Sequence, residues 1–347
     1  MTIDSKPLPL TLITGFLGAG KTTLVSSLVK QNPELKFGLI ENEFAELNID
    51  ALILSESDSE NSEQVWIERM EGCLCCQVNG DLAPKLTELI KSSPHPLDHL
   101  IIETTGLADP TPLVAQLLQA SPLLNLVRLD GVTCLIDGQN FHRQFADREK
   151  LKELTLQIGM ATQFLISKTL DLSETQKNEI THTLETLNPT AEISFCEAGA
   201  IESSIVLNQE AFNLNHSEKN LLATFKKVQN PKKTFSLGGL KLEHEHSAIK
   251  SWCLELAGEL NPQVFELFLN ITMRNSKLLR GKGLLCFKGQ PQKVFFQAVY
   301  DQFEFSLGNP WSENELKMNQ IVLIGEGTES DVLEIWKRGL ENSLIKS

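Results

Sequence analysis

The run Leu10 to Thr14, followed by Gly15-Phe-Leu-Gly-Ala-Gly-Lys-Thr22, constrains this chain more than any other stretch. A short apolar segment, a glycine-rich loop closing on Gly20-Lys21-Thr22, and an amphipathic continuation are the strand, phosphate loop and helix of an α/β nucleotide site. The glycines let successive backbone N–H groups turn inward around phosphates, at a helix N-terminus whose partial positive charge also favours anions. Gly15, Gly18, Ala19, Gly20, Lys21, Thr22 and Thr23 are therefore the candidate phosphate contacts. Lys21 is expected to reach the β- and γ-phosphates as a catalytic residue, and the Thr22 hydroxyl to ligate Mg²⁺.

Apolar runs alternate with segments of helical period through the first two hundred or so residues, the pattern of βα units in a mostly parallel sheet. Strands are expected at Leu10–Thr14, Phe37–Ile40, Gln64–Arg69, His99–Glu103, Val132–Asp137, Gln163–Ile166 and Glu192–Phe195. Helices are expected at Lys21–Val29, Asp81–Lys91, Pro112–Gln119, Arg148–Met160 and Glu174–Leu187. The acidic, serine-rich Ser55–Glu63 reads as a solvated loop. A nucleotide domain over 1–207, a polar linker over 208–233 and a smaller α+β domain over 234–347 complete the organisation. The last is inferred from strands at Ser251–Leu256, Leu284–Phe287, Val294–Tyr300 and Ile321–Ile324, mixed with helices at Pro262–Thr272 and Ser330–Leu340.

The formal charge of -14, from 31 basic and 45 acidic residues, argues against nucleic acid as a partner, because backbone affinity needs clustered Lys and Arg. No apolar run approaches the roughly 20 residues that span a bilayer, so no membrane role is expected. Met1 to Pro9 lacks a cationic stretch ahead of a long apolar one. A cytoplasmic address follows, in which the seven cysteines stay reduced.

That setting turns Cys73-Leu-Cys75-Cys76 toward metal or redox work rather than a disulfide. Three thiolates within four residues suit a thiophilic ion, and three or fewer leave a coordination position open, as an exchangeable ion requires. Glu41-Asn-Glu43-Phe-Ala-Glu46 follows the second strand, so Glu41 and Glu46 are either further ligands for metal or Mg²⁺, or solvated loop charges. Ile101-Ile-Glu103-Thr-Thr-Gly106 ends the fourth strand in the crevice beyond the strand carboxyl ends, where such sheets hold ligands. Glu103 there either orders Mg²⁺ or the attacking water, or caps the helix that follows Pro110, while the Gly106 amide is placed to sense the γ-phosphate.

Taken together, Gly15–Thr22, Glu41-Asn-Glu-Phe with Asp50 beyond it, Glu71-Gly-Cys-Leu-Cys-Cys76, Ile102-Glu-Thr-Thr-Gly-Leu-Ala-Asp-Pro110 and Leu279-Arg-Gly-Lys-Gly283 ahead of two strands make the chain resemble the CobW-type P-loop GTPases, relatives of the nickel-insertion GTPases. The resemblance implies GTP hydrolysis with Mg²⁺, Zn²⁺ or Co²⁺ at the thiol motif, and delivery of that ion to a client metalloprotein or a cobalt- or zinc-dependent enzyme. The chain is expected to act alone or as a homodimer. One departure stands out. The family reads guanine with Asn-Lys-x-Asp, whereas here the stretch is Ser167-Lys168-Thr-Leu-Asp171, with Ser for Asn and one more residue before Asp. Ser167, Lys168 and Asp171 remain the candidate base contacts, but a lost buried partner costs about 1 to 3 kcal/mol, so weaker guanine selectivity is expected. Long histidine-rich stretches found in many relatives are missing, and His244-Glu-His246 reads as exposed linker or a weak auxiliary metal site.

The expected function is a GTP-hydrolysing metallochaperone. A nucleotide-responsive metal buffer or sensor with little turnover, and an ATP-using P-loop enzyme, are the alternatives.

Overall fold

The structure is a computed structural model that describes residues 6–42, 65–70, 82–118, 122–197, 200–213, 224–225, 249–273, 277–313, 315–327 and 329–345. Cys73, Cys75, Cys76, Glu43, Glu46, Asp50, His244 and His246 lie outside the described residues, as do Ser55–Glu63 and most of the expected linker.

The chain divides into two compact units, the first comprising Met1–Gln157, Ala161–Lys177 and Glu192–Ala211, the second Ile158–Met160, Asn178–Ala191 and Phe212–Ser347. In the first, β1 (Leu8–Gly15), β2 (Phe37–Asn42), β3 (Val65–Met70), β4 (His99–Glu103), β5 (Val127–Asp137), β6 (Gln163–Ser167) and β7 (Glu192–Phe195) form one seven-stranded sheet in the order β3-β2-β4-β1-β5-β6-β7. Every pairing in it is parallel. Leu10, Leu12 and Ile13 of β1, Leu100 to Ile102 of β4 and Phe164 to Ile166 of β6 are all buried, which is why these strands read as unbroken apolar runs. Between strands come α1 (Lys21–Gln31), α2 (Leu82–Ser92), α3 (Thr111–Leu118), α4 (Pro122–Leu126), α5 (Phe141–Ala146), α6 (Leu151–Met160) and α7 (Glu174–Leu187). α4 and α5 are not anticipated by the sequence pattern, because five and six residues are too few to display a helical period.

Strand order reverses around β1, whose two neighbours are β4 and β5. Ligands of open α/β sheets sit at such a switch point, outside the carboxyl ends of the strands. Register sets what meets there. Glu103 of β4 lies opposite Ile13 of β1 on one side and Glu41 of β2 on the other, and Glu41 lies opposite Arg69 of β3.

In the second unit β8 (Ile249–Ala257), β9 (Leu278–Leu285), β10 (Gln292–Val299), β11 (Gln302–Pro310) and β12 (Met318–Glu326) form an antiparallel sheet in the order β11-β10-β9-β12-β8. Two helices, α8 (Pro262–Thr272) and α9 (Glu329–Ser343), supply Phe265, Leu269, Val332, Trp336 and Leu340 to the core shared with Trp252, Leu285, Phe296 and Leu323. Asn261 caps α8, its side chain accepting from the N–H groups of Gln263 and Val264 at 3.0 and 3.2 Å, with Pro262 in the first turn.

Two expectations for this unit need correction. Leu279-Arg-Gly-Lys-Gly283 lies inside β9 rather than ahead of the strands. Its glycines are packing positions: a Cβ on Gly281 would be 3.3 Å from the Phe296 ring, and one on Gly283 3.0 Å from the Gln320 carbonyl. β11 is also an unanticipated strand, because it runs along the sheet edge with Glu304, Leu307, Asn309 and Pro310 exposed.

Candidate nucleotide and metal site

The phosphate loop is shaped by backbone conformations that favour glycine. Gly15, Gly18 and Gly20 have φ of 130°, 76° and 98°. At Gly15 space adds to conformation, since a Cβ there would be 2.3 Å from the carbonyl oxygen of Leu135 on β5. Gly20 precedes α1 and provides no side-chain cap, so the first N–H groups of that helix are left to a ligand. The Ala19 N–H donates to the Phe16 carbonyl at 3.2 Å, closing the loop into a turn. Thr23 is exposed at the outer face of the first helical turn.

Lys21 is buried, and its Nζ donates to the carbonyls of Gly15 at 2.8 Å and Phe16 at 3.2 Å. Burial pulls its pKa below the usual lysine value, while the nearby Glu103 carboxylate and Cys134 thiol pull it back up. A phosphate would exchange two neutral acceptors for charged ones, a stronger kind of hydrogen bond.

Thr22 and Glu103 meet directly. The hydroxyl donates to the carboxylate at 3.1 Å from Oε1 and 3.4 Å from Oε2. Burial pushes the Glu103 pKa up, partly offset by the Lys21 charge and the Thr22 hydrogen bond. A hydroxyl and a carboxylate side by side are the hard oxygen donors that Mg²⁺ takes alongside phosphate oxygens, so the residues present fit that ion. The capping alternative for Glu103 is not what the structure contains: Asp109 does that work, its Oδ1 accepting from the Thr111 N–H at 2.9 Å at the start of α3.

Gly106 lies against the phosphate loop. A Cβ there would be 2.5 Å from the Leu17 nitrogen and 2.8 Å from its Cα, so only glycine lets the segment after β4 approach this closely. Upstream, the Thr104 N–H donates to the Ile13 carbonyl at 3.0 Å and the Thr104 hydroxyl to Thr14 Oγ1 at 3.0 Å, fastening the same segment to β1.

The region expected to face the base is arranged differently from the sequence-based picture. Ser167 Oγ donates to the Ala19 carbonyl at 2.8 Å and the Ile136 carbonyl at 3.2 Å, so it ties β6 to the phosphate loop. Lys168, at φ 56°, sends Nζ to the Gly18 carbonyl at 2.6 Å and Asp137 Oδ2 at 2.7 Å. Burial raises the Asp137 pKa, but hydrogen bonds from Lys168 and Asn140 more than offset this and hold it below the ordinary carboxylate range. Glu197, after β7, accepts from the N–H and hydroxyl of Thr169 at 2.5 and 2.6 Å. Asp171 Oδ2 accepts from Gln139 Nε2 at 2.9 Å, and Leu170 beside it is 83% exposed. Asp137, Gln139 and Glu197 were not singled out by the sequence; Asp137 ends an apolar strand in the same way Glu103 does, and that signal could have found it.

Of the thiol and carboxylate cluster, only Glu41 falls on a described element, at the penultimate position of β2 opposite Glu103. β3 ends at Met70, three residues ahead of Cys73 in the sequence. Among the described residues no group of three or more His, Cys, Asp or Glu is placed to hold a metal ion.

The pattern of the CobW/HypB/UreG nucleotide-binding domain matches residues 9–195, and that of the cobalamin synthesis protein CobW C-terminal domain matches residues 249–340. The chain belongs to the CobW/HypB/UreG family. Its nucleotide domain is thus a P-loop domain of that family, followed by a CobW C-terminal domain. Among CobW-family relatives, it is 30% identical over 334 residues to the zinc chaperone CobW of a Sinorhizobium species, covering 92% of each chain. It is 29% identical over 327 residues to the zinc chaperone YjiA of Escherichia coli, covering 92% of this chain and 94% of that one. The crystal structure of the Zn(II)-bound YjiA GTPase from E. coli superposes with a TM-score of 0.73 at 25% identity, over 98% of this chain and all of that one (100%). No helix among the described residues is long and apolar enough to cross a membrane.

Proposed function

We propose that this chain is a GTP-hydrolysing metallochaperone that carries Zn²⁺ or Co²⁺ to a client metalloprotein or a cobalt- or zinc-dependent enzyme in the cytoplasm, alone or as a homodimer. Cys73, Cys75 and Cys76 are its metal-binding thiolates, with Glu41 and Glu46 as the carboxylates that join them. The observation that carries this reading is the register of strand ends. Glu103, which accepts from Thr22 of the phosphate loop, is one strand away from Glu41 and two from Arg69, on the strand that leads into the thiol motif. Strands in a sheet are about 4.8 Å apart, so Glu103 lies about two strand spacings from the end of the strand that precedes the thiol motif. Zinc chaperones in the same family support the choice of ion.

In the hydrolytic step the loop N–H groups and Lys21 hold the β- and γ-phosphates, and Glu103 orders Mg²⁺ or, through it, the attacking water. Thr22 and Glu103 would hold Mg²⁺, which supplies charge neutralisation between the phosphates. Gly106 brings the segment after β4 to the γ-phosphate. Coupling hydrolysis to metal release requires metal affinity to differ between the triphosphate and diphosphate forms, because a nucleotide that leaves affinity equal in both states shifts nothing.

One observation favours a second reading for the base. The Asp171 carboxylate is engaged by Gln139, and guanine recognition through Asp171 requires that bond to open. An ATP-using enzyme, or a metal buffer with little turnover, is the outcome that would follow.

Phosphate release from GTP and from ATP, each with and without Zn²⁺ or Co²⁺, separates these readings. The expected result is GTP-preferring turnover that Lys21→Ala abolishes. A Cys75→Ala, Cys76→Ala variant should lose tight Zn²⁺ binding while keeping its nucleotide affinity, and unchanged Zn²⁺ affinity in that variant would sink the metal assignment.

A further inference from the structure

Gln157, on α6, has no exposed surface. Burying a primary amide is unfavourable unless it is hydrogen-bonded, and an apolar side chain would fill the same space without that cost. Its Nε2 donates to the carbonyl of Gly106 at 3.2 Å and to that of Ala108 at 2.9 Å. Both carbonyls belong to the connection between β4 and α3, the segment that starts at Glu103 and presses Gly106 on Leu17.

The ends of that connection are fastened elsewhere. Thr104 is held to Ile13 and Thr14, and Asp109 caps α3. Between them a turn closes from the Ala108 N–H to the Thr105 carbonyl at 3.1 Å, and the Gln157 amide grips the turn from behind. Gln157 Oε1 has no hydrogen-bond partner among the described residues. The amide is therefore oriented by the two carbonyls it serves.

We infer that Gln157 is a positioning residue for the step that depends on the γ-phosphate. Its amide fixes the Gly106–Ala108 turn, and so fixes the gap between that turn and Leu17 of the phosphate loop. Gly106 has no Cβ to spare in that gap, and a displacement of a few tenths of an ångström alters where its peptide meets the third phosphate. A diphosphate, which lacks that group, has no need of the register. The inference rests on the GTP-hydrolysing reading and adds to it a residue outside the phosphate, base and metal contacts.

The test uses the full chain with Gln157→Met, which keeps length and helix propensity but has no donor, and Gln157→Asn, which keeps the amide but draws it back by one methylene. GDP affinity, and kcat and KM for GTP, are measured for each. Losing two neutral hydrogen bonds that act on the turn should lower kcat by about tenfold in Gln157→Met, with KM and GDP affinity unchanged. If Gln157→Met does not fold, Gln157→Asn decides by the same split. Wild-type kcat in the variants overturns the inference. So does a parallel loss of kcat and GDP affinity, which would mark Gln157 as a general packing residue. A wild-type chain without GTP turnover would instead remove the reading on which the inference stands.

Discussion

The Thr22 hydroxyl donates to the Glu103 carboxylate at 3.1 Å, joining the first turn of the helix after the phosphate loop to the end of the neighbouring strand. That bond links the hydroxyl expected to ligate Mg²⁺ with the carboxylate expected to order Mg²⁺ or the attacking water.

Replacing Glu103 by Gln tests both the chemistry and the electrostatics. Glu103→Gln should lose about a hundredfold or more in phosphate release, the scale seen when one charge-stabilising group is removed from an active site. The same variant bears on stability. Because burial raises the Glu103 pKa, the folded chain binds the proton more tightly than the unfolded chain. Stability from this group is present at acid pH and declines as pH rises from the ordinary carboxylate range, about 4, through the raised value. Chemical denaturation of the nucleotide-free protein across that window should show a weaker pH slope in Glu103→Gln.

His99 titrates with the opposite sign. Burial lowers its pKa to about 4, with Asp130 pulling it up and Arg128 pulling it down. Its Nε2 is paired with Thr11 Oγ1 at 2.9 Å. The unfolded chain, with an ordinary histidine near about 6.5, binds more protons than the folded one between these values, so stability falls as pH drops through that window. A His99→Gln variant should lose this acid sensitivity, as read from denaturation midpoints at successive pH values.

Gly106→Ala places a methyl carbon 2.5 Å from the Leu17 nitrogen, against backbone rather than a movable side chain. The segment must retreat from the loop, and misplacement on the ångström scale costs about a hundredfold in rate. Single-turnover hydrolysis should fall by that order while GDP affinity, measured by calorimetry, holds. Equal losses in both would show that Gly106 serves the loop and not the γ-phosphate.

Ser167→Ala removes the hydroxyl that ties β6 to the Ala19 carbonyl. A neutral hydrogen bond of this kind contributes about 1 kcal/mol, which is roughly fivefold in nucleotide affinity. GTP and ATP should weaken together, because Ser167 bonds the loop and not a base. A change confined to GTP would contradict this.

What could be read from the sequence follows from how local the cause is. The strands carrying Leu10–Ile13, Leu100–Ile102 and Phe164–Ile166 were legible because both faces are buried and each is an unbroken apolar run. The position of Glu103 and Gly106 beside the phosphate loop was legible because one ends and the other follows such a run at the ligand end of the sheet. Asp109 rather than Glu103 as the cap of α3 was not, since both stand ahead of the same proline. Leu279–Gly283 was misplaced because Gly281 and Gly283 look like chain breakers until Phe296 and Ile321 are seen packed on them. The bonds from Ser167 to Ala19 and from Gln157 to Gly106 join residues 148 and 51 positions apart, and each ends on a main-chain carbonyl that has no side-chain identity to read.

The Lys21 ammonium is seated on the carbonyls of Gly15 and Phe16, and the three loop glycines already hold positive φ. The curvature of the phosphate loop is therefore set by its own main-chain geometry and by bonds made within the loop. Nucleotide capture should then follow the kinetics of a rigid receptor, with an association rate set by diffusion and orientation and with affinity differences expressed in the rate of escape.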